Sequence, residues 1–153
     1  MRPLETSFRI ISPTVCGNAL AHIASLPQDG RWTVKITEKK ETRSEKQKRL
    51  WWKWMRDLEP QLGDVADVIE ARCKYKFVRP ILFEREPILV EMFATIEHLG
   101  EDAIREAAKR LIHISDLSVA DMTAALNGVE RYYGAKGYSL THPVDVYEEA
   151  MGR

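Results

Sequence analysis

The sequence predicts an α+β fold in which a small N-terminal β-sheet, built as strand–helix–strand, precedes a mainly helical remainder. Residues 32–37 alternate apolar and polar side chains, which is the period of a half-buried strand. From about residue 44 onward, apolar residues recur mostly at helical spacing. Because 153 residues is the size of one domain, we expect a single domain spanning residues 1–153, with a basic part at 1–60 and a mostly helical, acidic part at 61–153.

The first 60 residues are predicted to form a strand, a helix, a second strand and a second helix. Residues 8–12 have the composition of a short strand, and Ser12-Pro13 is typical of a helix N-cap followed by proline in the first turn. Apolar residues from Val15 to Leu26 continue that helix, and the residues PQDG at 27–30 end it as a turn. The strand at 32–37 is then able to pair with the strand at 8–12.

The remaining segments are predicted to be helical. Ser44 is the expected N-cap of the next helix, with Gln47 in the capping-box position three residues later, and that helix runs to residue 61. Further helices are expected at 65–77, where Pro80 stops the helix, and at 90–98, 101–112 and 119–133. The residues GAKG at 134–137 supply a stop, and residues 143–151 add one or two turns.

The two halves of the chain carry opposite charge, although the net charge is zero. Residues 1–79 contain 16 Lys and Arg against 10 Asp and Glu, whereas residues 80–153 contain 7 against 13. A basic and an acidic region follow, and they need not serve the same partner. No apolar run approaches the roughly 20 residues of a membrane span. Residues 1–8 lack the apolar core of a signal peptide, and Cys16 and Cys73 match no metal spacing. We therefore expect a cytoplasmic protein with buried, reduced thiols.

The tryptophan-bearing segment at residues 39–56 is the strongest functional signal in the sequence. The segment contains eight Lys and Arg against two Glu. On a helical wheel, one arc of roughly 140° is apolar and predicts the face that packs into the core. The residues on this arc are Leu50, Trp51, Trp54, Met55 and Leu58.

Trp52 does not join the apolar arc but falls between Lys48 and Arg56 on the other side of the helix. Flanking cations suit a phosphate backbone, and the indole offers a stacking surface worth about 1–3 kcal/mol per base. In the alternative interpretation, Trp52 packs against another element or a second subunit, and the cations are simply solvated. The predicted DNA-binding residues are Lys40, Arg43, Lys46, Lys48, Arg49, Trp52, Lys53 and Arg56. A further basic group, Arg72, Lys74, Lys76 and Arg79, is by itself typical of a solvated face.

The residues RSEKQKRLWW at 43–52 resemble the R-S-x-x-Q-N-R-x-x-W signature of the NinB (Orf) recombination proteins of phages and prophages. The surrounding segments are similar to that family as well, with IISP at 10–13, NA at 18–19 and KITE at 35–38. The amphipathic segment at 119–138 resembles the family's helix and glycine turn, with the glycine spacing shortened by one. Lys48 departs from the signature, where the family has Asn.

This resemblance implies a homodimer that binds single-stranded DNA in the cytoplasm of a bacterial host cell. It further implies a recombination mediator that works with the host single-strand-binding protein and helps to load the recombinase during phage recombination. An alternative function is a phage-derived protein-interaction module or inhibitor that acts on a host protein. In that case the acidic half is the working face, or the basic face engages an acidic tail, such as bacterial single-strand-binding proteins carry.

An enzymatic function is not expected from the sequence, and neither a cofactor nor a metal is expected. The four histidines form no metal-binding pair, and the GAKG stretch follows a helix instead of opening one. Glu84, Glu86 and Glu91 leave open a Mg²⁺-dependent nuclease as a third hypothesis. His113, Asp116 and Asp121 have the residue types of a catalytic set. Ser115 or Ser118 is more simply a helix N-cap, and Asp121 suits the first turn of the helix that Ser118 would cap.

Overall fold

The computed structural model describes residues 5–38 and 40–153, so that Met1–Leu4 and Lys39, the first residue of the basic segment, lie outside the described part. The chain divides into two compact units, residues 1–40 and residues 41–153. Helix α1 (Pro13–Ser25) is the regular element described in the first unit. The Ser12 side chain caps it by accepting a hydrogen bond from the Val15 backbone N–H at 3.3 Å, and Pro13 opens the first turn. The predicted cap is therefore confirmed.

The predicted N-terminal sheet is wrong, because the described residues contain helices, turns and extended segments but no strand. Residues 8–11 and 31–38 flank α1 as non-helical chain without ladder hydrogen bonds, and their apolar side chains remain exposed. Alternation of apolar and polar residues favours an extended backbone but does not supply a neighbour. A strand exists only where a second strand satisfies its N–H and C=O groups, and the alternating pattern says nothing about that pairing. The described fold is helical rather than α+β.

The second unit, residues 41–153, consists of α-helices joined by turns and, before the last helix, by the non-helical segment 136–146. The α-helices are α2 (Arg43–Leu62), α3 (Ala66–Cys73), α4 (Arg79–Phe83), α5 (Pro87–Ile96), α6 (Glu101–Leu111), α7 (Val119–Ala135) and α8 (Tyr147–Met151). A π-helical turn (Lys74–Val78) joins α3 to α4, and 3-10 turns occur at Glu97–Leu99 and Ile114–Asp116. Helix α2 packs against α3, α7 and α8, which places it at the centre of this unit.

Helix α2 begins two residues earlier than a Ser44 cap requires. Thr42 is the N-cap, and its hydroxyl accepts from the Glu45 backbone N–H at 3.2 Å. The Glu45 carboxylate accepts in return from the Thr42 N–H at 2.8 Å, which completes a capping box. The predicted box of Ser44 and Gln47 is wrong, because the same motif spacing occurs two residues upstream. Gln47 instead lies buried inside the unit.

A helix boundary before Pro80 is also wrong, since helical backbone continues from α3 through α4. The π-helical turn lies immediately before the proline, and the Arg79 N–H bonds to the Lys74 carbonyl, five residues back. Wider turns of this kind accommodate local defects in a helix, and this one lies where Pro80 has no N–H to donate to the preceding turn.

The helices predicted at 90–98, 101–112 and 119–133 are confirmed, with boundaries that differ by up to three residues. Ser118 caps α7 as expected, accepting from the Asp121 N–H at 3.1 Å. Gly137, at φ 83°, follows the end of α7 in the left-handed conformation, which supports a C-terminal stop rather than a phosphate loop. The 143–151 tail contributes α8.

Candidate nucleic-acid interface on helix α2

The apolar face of α2 forms the centre of the hydrophobic core, as its periodicity predicts. Leu50, Trp51, Trp54, Met55 and Leu58 are all fully buried. The Trp54 indole N–H donates to the Thr141 backbone carbonyl at 2.7 Å, which joins α2 to the segment before α8. The orientation of the remaining faces of α2 is set by this buried stripe.

Gln47 connects α2 to two other helices through one buried amide. Its Nε2 lies 3.0 Å from the Val119 carbonyl oxygen, 2.9 Å from Thr123 Oγ1 and 3.0 Å from the Ala150 carbonyl oxygen. All three oxygens can accept a hydrogen bond. The amide nitrogen therefore faces the start of α7 and the end of α8. The glutamine of the signature-like segment therefore has a structural position in this protein.

The basic face of α2 nearest to the C-terminal tail is largely neutralised by acids of the same chain. The Lys46 ammonium forms an ion pair with Glu149. The Arg49 guanidinium lies 3.1 Å from the Glu41 carboxylate and 3.2 Å from Asp145. Ion-paired cations are less available to phosphate, because a ligand has to displace the carboxylates first.

Two further predicted DNA contacts on α2 also have protein partners. The Lys53 ammonium pairs with Asp57 one turn later, at 2.5 Å. The Arg43 guanidinium donates to Thr123 Oγ1 at 3.1 Å and to the Ala150 carbonyl at 3.5 Å. Both side chains are thus engaged by contacts within the unit, although Arg43 is exposed and the Lys53 side chain is 43% exposed.

Three of the predicted residues remain as an open surface, which we call the Trp52 stripe: Lys48, Trp52 and Arg56. Trp52 is half-buried and packs partly against the core, so one part of the indole is covered and the other faces solvent. Among the described residues, no carboxylate lies within 4.0 Å of the charged groups of Lys48 or Arg56. Residues spaced by four lie on neighbouring turns, so the two cations flank the indole along one helix face.

Lys40, the remaining predicted contact, belongs to the first unit and is exposed. The sequence predicted helix α2 and the position of Trp52 outside its buried face. No local pattern separated the cations that have a carboxylate partner from those that have none among the described residues. The acids that neutralise the basic face, Asp145 and Glu149, lie about 100 residues away along the chain, which no local pattern reveals.

The residues considered for catalysis lie on the turn after α4, on α5, and at and before the start of α7. Glu84, Glu86 and Glu91 are separately exposed, and within residues 5–38 and 40–153 no three His, Cys, Asp or Glu side chains are grouped as metal ligands. Asp121 is held by Arg85 and Ser118 at the start of α7, where these partners keep the pKa of its carboxyl low, at about 2.

Both cysteines are free thiols. Cys73 is buried as expected, whereas Cys16 is half-buried. Burial raises the pKa of the Cys73 thiol to about 12, so the thiol stays protonated at neutral pH. A protonated, buried thiol is a poor nucleophile, and Cys73 is therefore a core residue.

This chain matches no protein-family model, no curated protein and no solved structure. Across the described residues, none of the helices combines the length and the apolar character that crossing a bilayer requires.

Proposed function

We propose that this protein binds single-stranded DNA through the Trp52 stripe and has no enzymatic role in that binding. The observation that carries the proposal is the half-buried Trp52 between Lys48 and Arg56, two α2 cations without a carboxylate partner among the described residues. Contact with the core holds the Trp52 ring in place, and the accessible part of the ring is available for stacking. The cations on the adjacent turns supply attraction for phosphates on either side of the stacked base.

If only Lys48 and Arg56 contact phosphates, the affinity for DNA depends less on salt than it would if all eight cations of residues 39–56 did. Two free cations neutralise about two phosphates, which corresponds to a slope of about −1.4 in log K against log salt on a single strand. Base stacking on Trp52 is worth about 1–3 kcal/mol and depends little on salt. We therefore expect weak salt dependence together with tryptophan quenching, a combination that distinguishes this site from a wholly electrostatic one.

The test is fluorescence anisotropy of a labelled oligothymidylate, measured with wild-type protein at two salt concentrations. Trp52→Ala is expected to weaken binding by about tenfold or more, which corresponds to the lower part of the stacking range. Trp32→Ala is the matched control, because Trp32 is also accessible and lies outside the stripe.

A charge control completes this experiment. The double variant Lys48→Gln/Arg56→Gln is expected to remove most of the salt slope. The variant Arg9→Gln/Lys109→Gln removes the same charges at exposed positions elsewhere and is expected to leave binding nearly unchanged. If both double variants lose affinity equally, or if Trp52→Ala binds like the wild type, the stripe is not the binding site.

The proposed biological role is that of a recombination mediator, for which the support is the resemblance of residues 43–52 to the NinB (Orf) signature. On this proposal a homodimer acts with the host single-strand-binding protein and helps to load the recombinase. The test is recombinase loading on DNA coated with single-strand-binding protein, with Trp52→Ala as the inactive variant and light scattering to measure the dimer. Wild-type protein that fails to stimulate loading, while still binding bare DNA, contradicts the mediator role alone.

A second candidate function is docking of a host protein, and an apolar groove between the end of α5 and α6 favours it. The groove has a volume of about 350 Å³. Its apolar lining consists of Ile96, Leu99, Ala103, Ala107 and Leu111. Glu106 and Arg110 also line the groove and form an ion pair at 2.8 Å, and the neighbouring Lys109 is exposed. Apolar walls beside the Lys109 ammonium fit an acidic peptide tail, such as that of a single-strand-binding protein.

Binding of a labelled acidic tail peptide tests this candidate. Leu99→Asp places a negative charge in the groove at a residue that is 72% exposed, so the fold tolerates the change. Val144→Asp, at a residue that is 98% exposed and does not line the groove, is the matched control. The candidate requires that the peptide binds the control variant and not Leu99→Asp.

A further inference from the structure

Two lysines from different parts of the second unit converge on the ring of Tyr132. The Lys76 ammonium lies 3.3 Å from the centroid of that ring, and the Lys136 ammonium lies 4.4 Å from it. Lys76 belongs to the π-helical turn after α3, whereas Lys136 caps the end of α7. The two cations are 60 positions apart in the sequence, so only the tertiary structure brings them together.

Packing holds the ring of Tyr132 in place. Phe77 lies against it with ring centroids 5.7 Å apart, and Tyr133 with centroids 5.0 Å apart. Gly128 on α7 permits the close approach of Phe77, since a Cβ at that position would lie 2.8 Å from the Phe77 ring. The aromatic platform is therefore built by close contact between α7 and the π-helical turn.

The end of α7 also fixes the backbone of Lys136. The Lys136 N–H donates to the Tyr133 carbonyl at 3.1 Å, and the Tyr138 N–H donates to the same carbonyl at 3.0 Å. These bonds satisfy a carbonyl that would otherwise repel an anion at the negative end of the helix. The lysine ammonium remains on an exposed side chain.

No described carboxylate neutralises these two lysines within 4.0 Å. Of the acids near α3, Asp64 pairs with Arg72 and Glu70 pairs with Lys74, whereas Asp67 is exposed and has no ion pair with either lysine. Arg131 is a further exposed cation on α7. The surroundings of Tyr132 therefore carry an excess of positive charge.

The acid nearest in sequence, Glu130, is also occupied. Its carboxylate accepts from the Tyr147 hydroxyl at 2.5 Å and lies 3.4 Å from the Arg153 guanidinium. Glu130 is thus directed to the C-terminal tail, and it does not compensate the lysines.

We infer that Lys76, Lys136 and the Tyr132 hydroxyl form a binding site for a phosphate group. Two ammonium groups and one phenol O–H offer hydrogen-bond donors of the kind that a doubly charged phosphate accepts. Neither lysine has a competing carboxylate, so a bound anion gains their charge without breaking an ion pair. The inference does not require that Trp52 binds a base, and each can fail without the other.

The electrostatic state of Tyr132 gives this site a direct spectroscopic reporter. The nearby ammonium groups, first that of Lys136 and secondly that of Lys76, lower the pKa of the Tyr132 phenol below its ordinary value. The pKa values of Tyr75, Tyr133 and Tyr147 are raised instead, in each case mainly by burial. Tyr132 therefore ionises before these three tyrosines as the pH rises, and a bound phosphate screens the lysines and moves its pKa upward.

The experiment follows tyrosinate absorbance at 295 nm during alkaline titration, in inorganic phosphate and in sodium chloride of equal ionic strength. Phosphate is expected to raise the midpoint of the earliest ionisation by about one pH unit. Tyr132→Phe identifies this ionisation by removing it. Lys76→Gln/Lys136→Gln is expected to abolish the phosphate effect, while Lys109→Gln retains it. Identical midpoints in phosphate and chloride, or a shift that persists in the double variant, overturns the inference.

The same variants distinguish a free phosphate compound from the backbone of a polynucleotide. Anisotropy with labelled oligothymidylate is measured for Lys76→Gln/Lys136→Gln and for the wild type. A loss of affinity together with a salt slope that is shallower by about 1.4, which is about 0.7 for each of the two contacts, assigns the site to a nucleic-acid phosphate. Unchanged affinity, with the response to inorganic phosphate intact in the wild type, assigns it to a small phosphorylated compound.

Discussion

The guanidinium of Arg49 lies 3.2 Å from the carboxylate of Asp145, although 96 positions separate the two residues in the sequence. This pair and the Lys46–Glu149 pair join the basic helix α2 to the acidic C-terminal tail. The opposite charges of the two halves are therefore partly satisfied within the chain. The number of cations left for a ligand is smaller than the local charge of residues 39–56 indicates.

Removing the acid that neutralises Arg49 is expected to strengthen DNA binding. Asp145→Asn leaves Arg49 with Glu41 alone, and we expect about two- to fivefold tighter binding of oligothymidylate, in line with the 0.2–1 kcal/mol of an exposed ion pair. Glu148→Gln is the matched control, because it removes an exposed charge of the same tail without a partner among the described residues. Equal gains in both variants would show a general charge effect and contradict a role for Arg49.

The buried amide of Gln47 is expected to contribute substantially to stability. Gln47→Ala removes the two amide N–H donors that the oxygens of Val119, Thr123 and Ala150 share, and we expect the free energy of unfolding to fall by about 1–3 kcal/mol. Urea denaturation measures the change. Gln28→Ala, at an exposed position, is the control and is expected to have an effect within about 0.5 kcal/mol. A Gln47→Ala variant as stable as the control would contradict a stabilising role for this amide.

The ion pair of Asp121 with Arg85 is expected to make stability depend on pH in the acid range. The pKa of Asp121 is about 2 in the folded protein, below the ordinary 3.8. The stabilisation is thus present above pH 3.8 and is lost as the pH falls through about 2. Because the Arg85 side chain is 57% exposed, we expect Asp121→Asn to cost about 1 kcal/mol at pH 6.

The difference in unfolding free energy between wild type and Asp121→Asn is expected to shrink between pH 4 and pH 2. Denaturation at several pH values measures this convergence. Asp116→Asn, on the turn before α7, is the control for loss of an exposed carboxylate. A difference that stays constant down to pH 2 is inconsistent with this linkage.

Two tryptophans that are equally buried are expected to respond differently to phenylalanine. Trp54 donates its indole N–H to Thr141 at 2.7 Å, whereas no acceptor among the described residues bonds to the N–H of Trp51. Both substitutions remove similar volume, but only Trp54→Phe breaks a hydrogen bond and leaves the Thr141 carbonyl without this donor. We expect Trp54→Phe to cost about 1 kcal/mol more than Trp51→Phe in urea denaturation. The reverse order would mean that packing differences outweigh the hydrogen bond.

Local sequence patterns predicted most helices and the buried face of α2. Periodicity identified Trp51 and Trp54 as core residues, and the side chains of Ser12 and Ser118 correctly predicted two N-caps. Both kinds of signal act within three or four residues, and the helical backbone satisfies its own hydrogen bonds over the same distance. The capping box of α2 lies two residues upstream of its predicted position, because Thr42 and Glu45 have the residue types and spacing that the box requires, as do Ser44 and Gln47.

The predicted strands failed because a strand depends on a partner that a local pattern does not specify. Apolar and polar side chains alternate along residues 32–37. Ile36 is nevertheless 94% exposed, and no ladder of hydrogen bonds forms with residues 8–12. The proposed single-stranded DNA site was predictable only in part. The position of Trp52 on its helix face followed from periodicity, whereas the availability of each neighbouring cation did not.

The sequence by itself determined where α2 lies, which of its faces enters the core, and that Trp52 stands apart from Trp51 and Trp54. The tertiary structure alone decided that Arg49 meets Asp145, that Lys48 and Arg56 have no described carboxylate partner, and that Lys76 and Lys136 converge on Tyr132. The physical reason is the range of the interactions involved. Helix formation and amphipathicity are set by neighbours three or four residues apart, whereas the neutralisation of a charge depends on whichever distant side chain the fold places within about 4 Å.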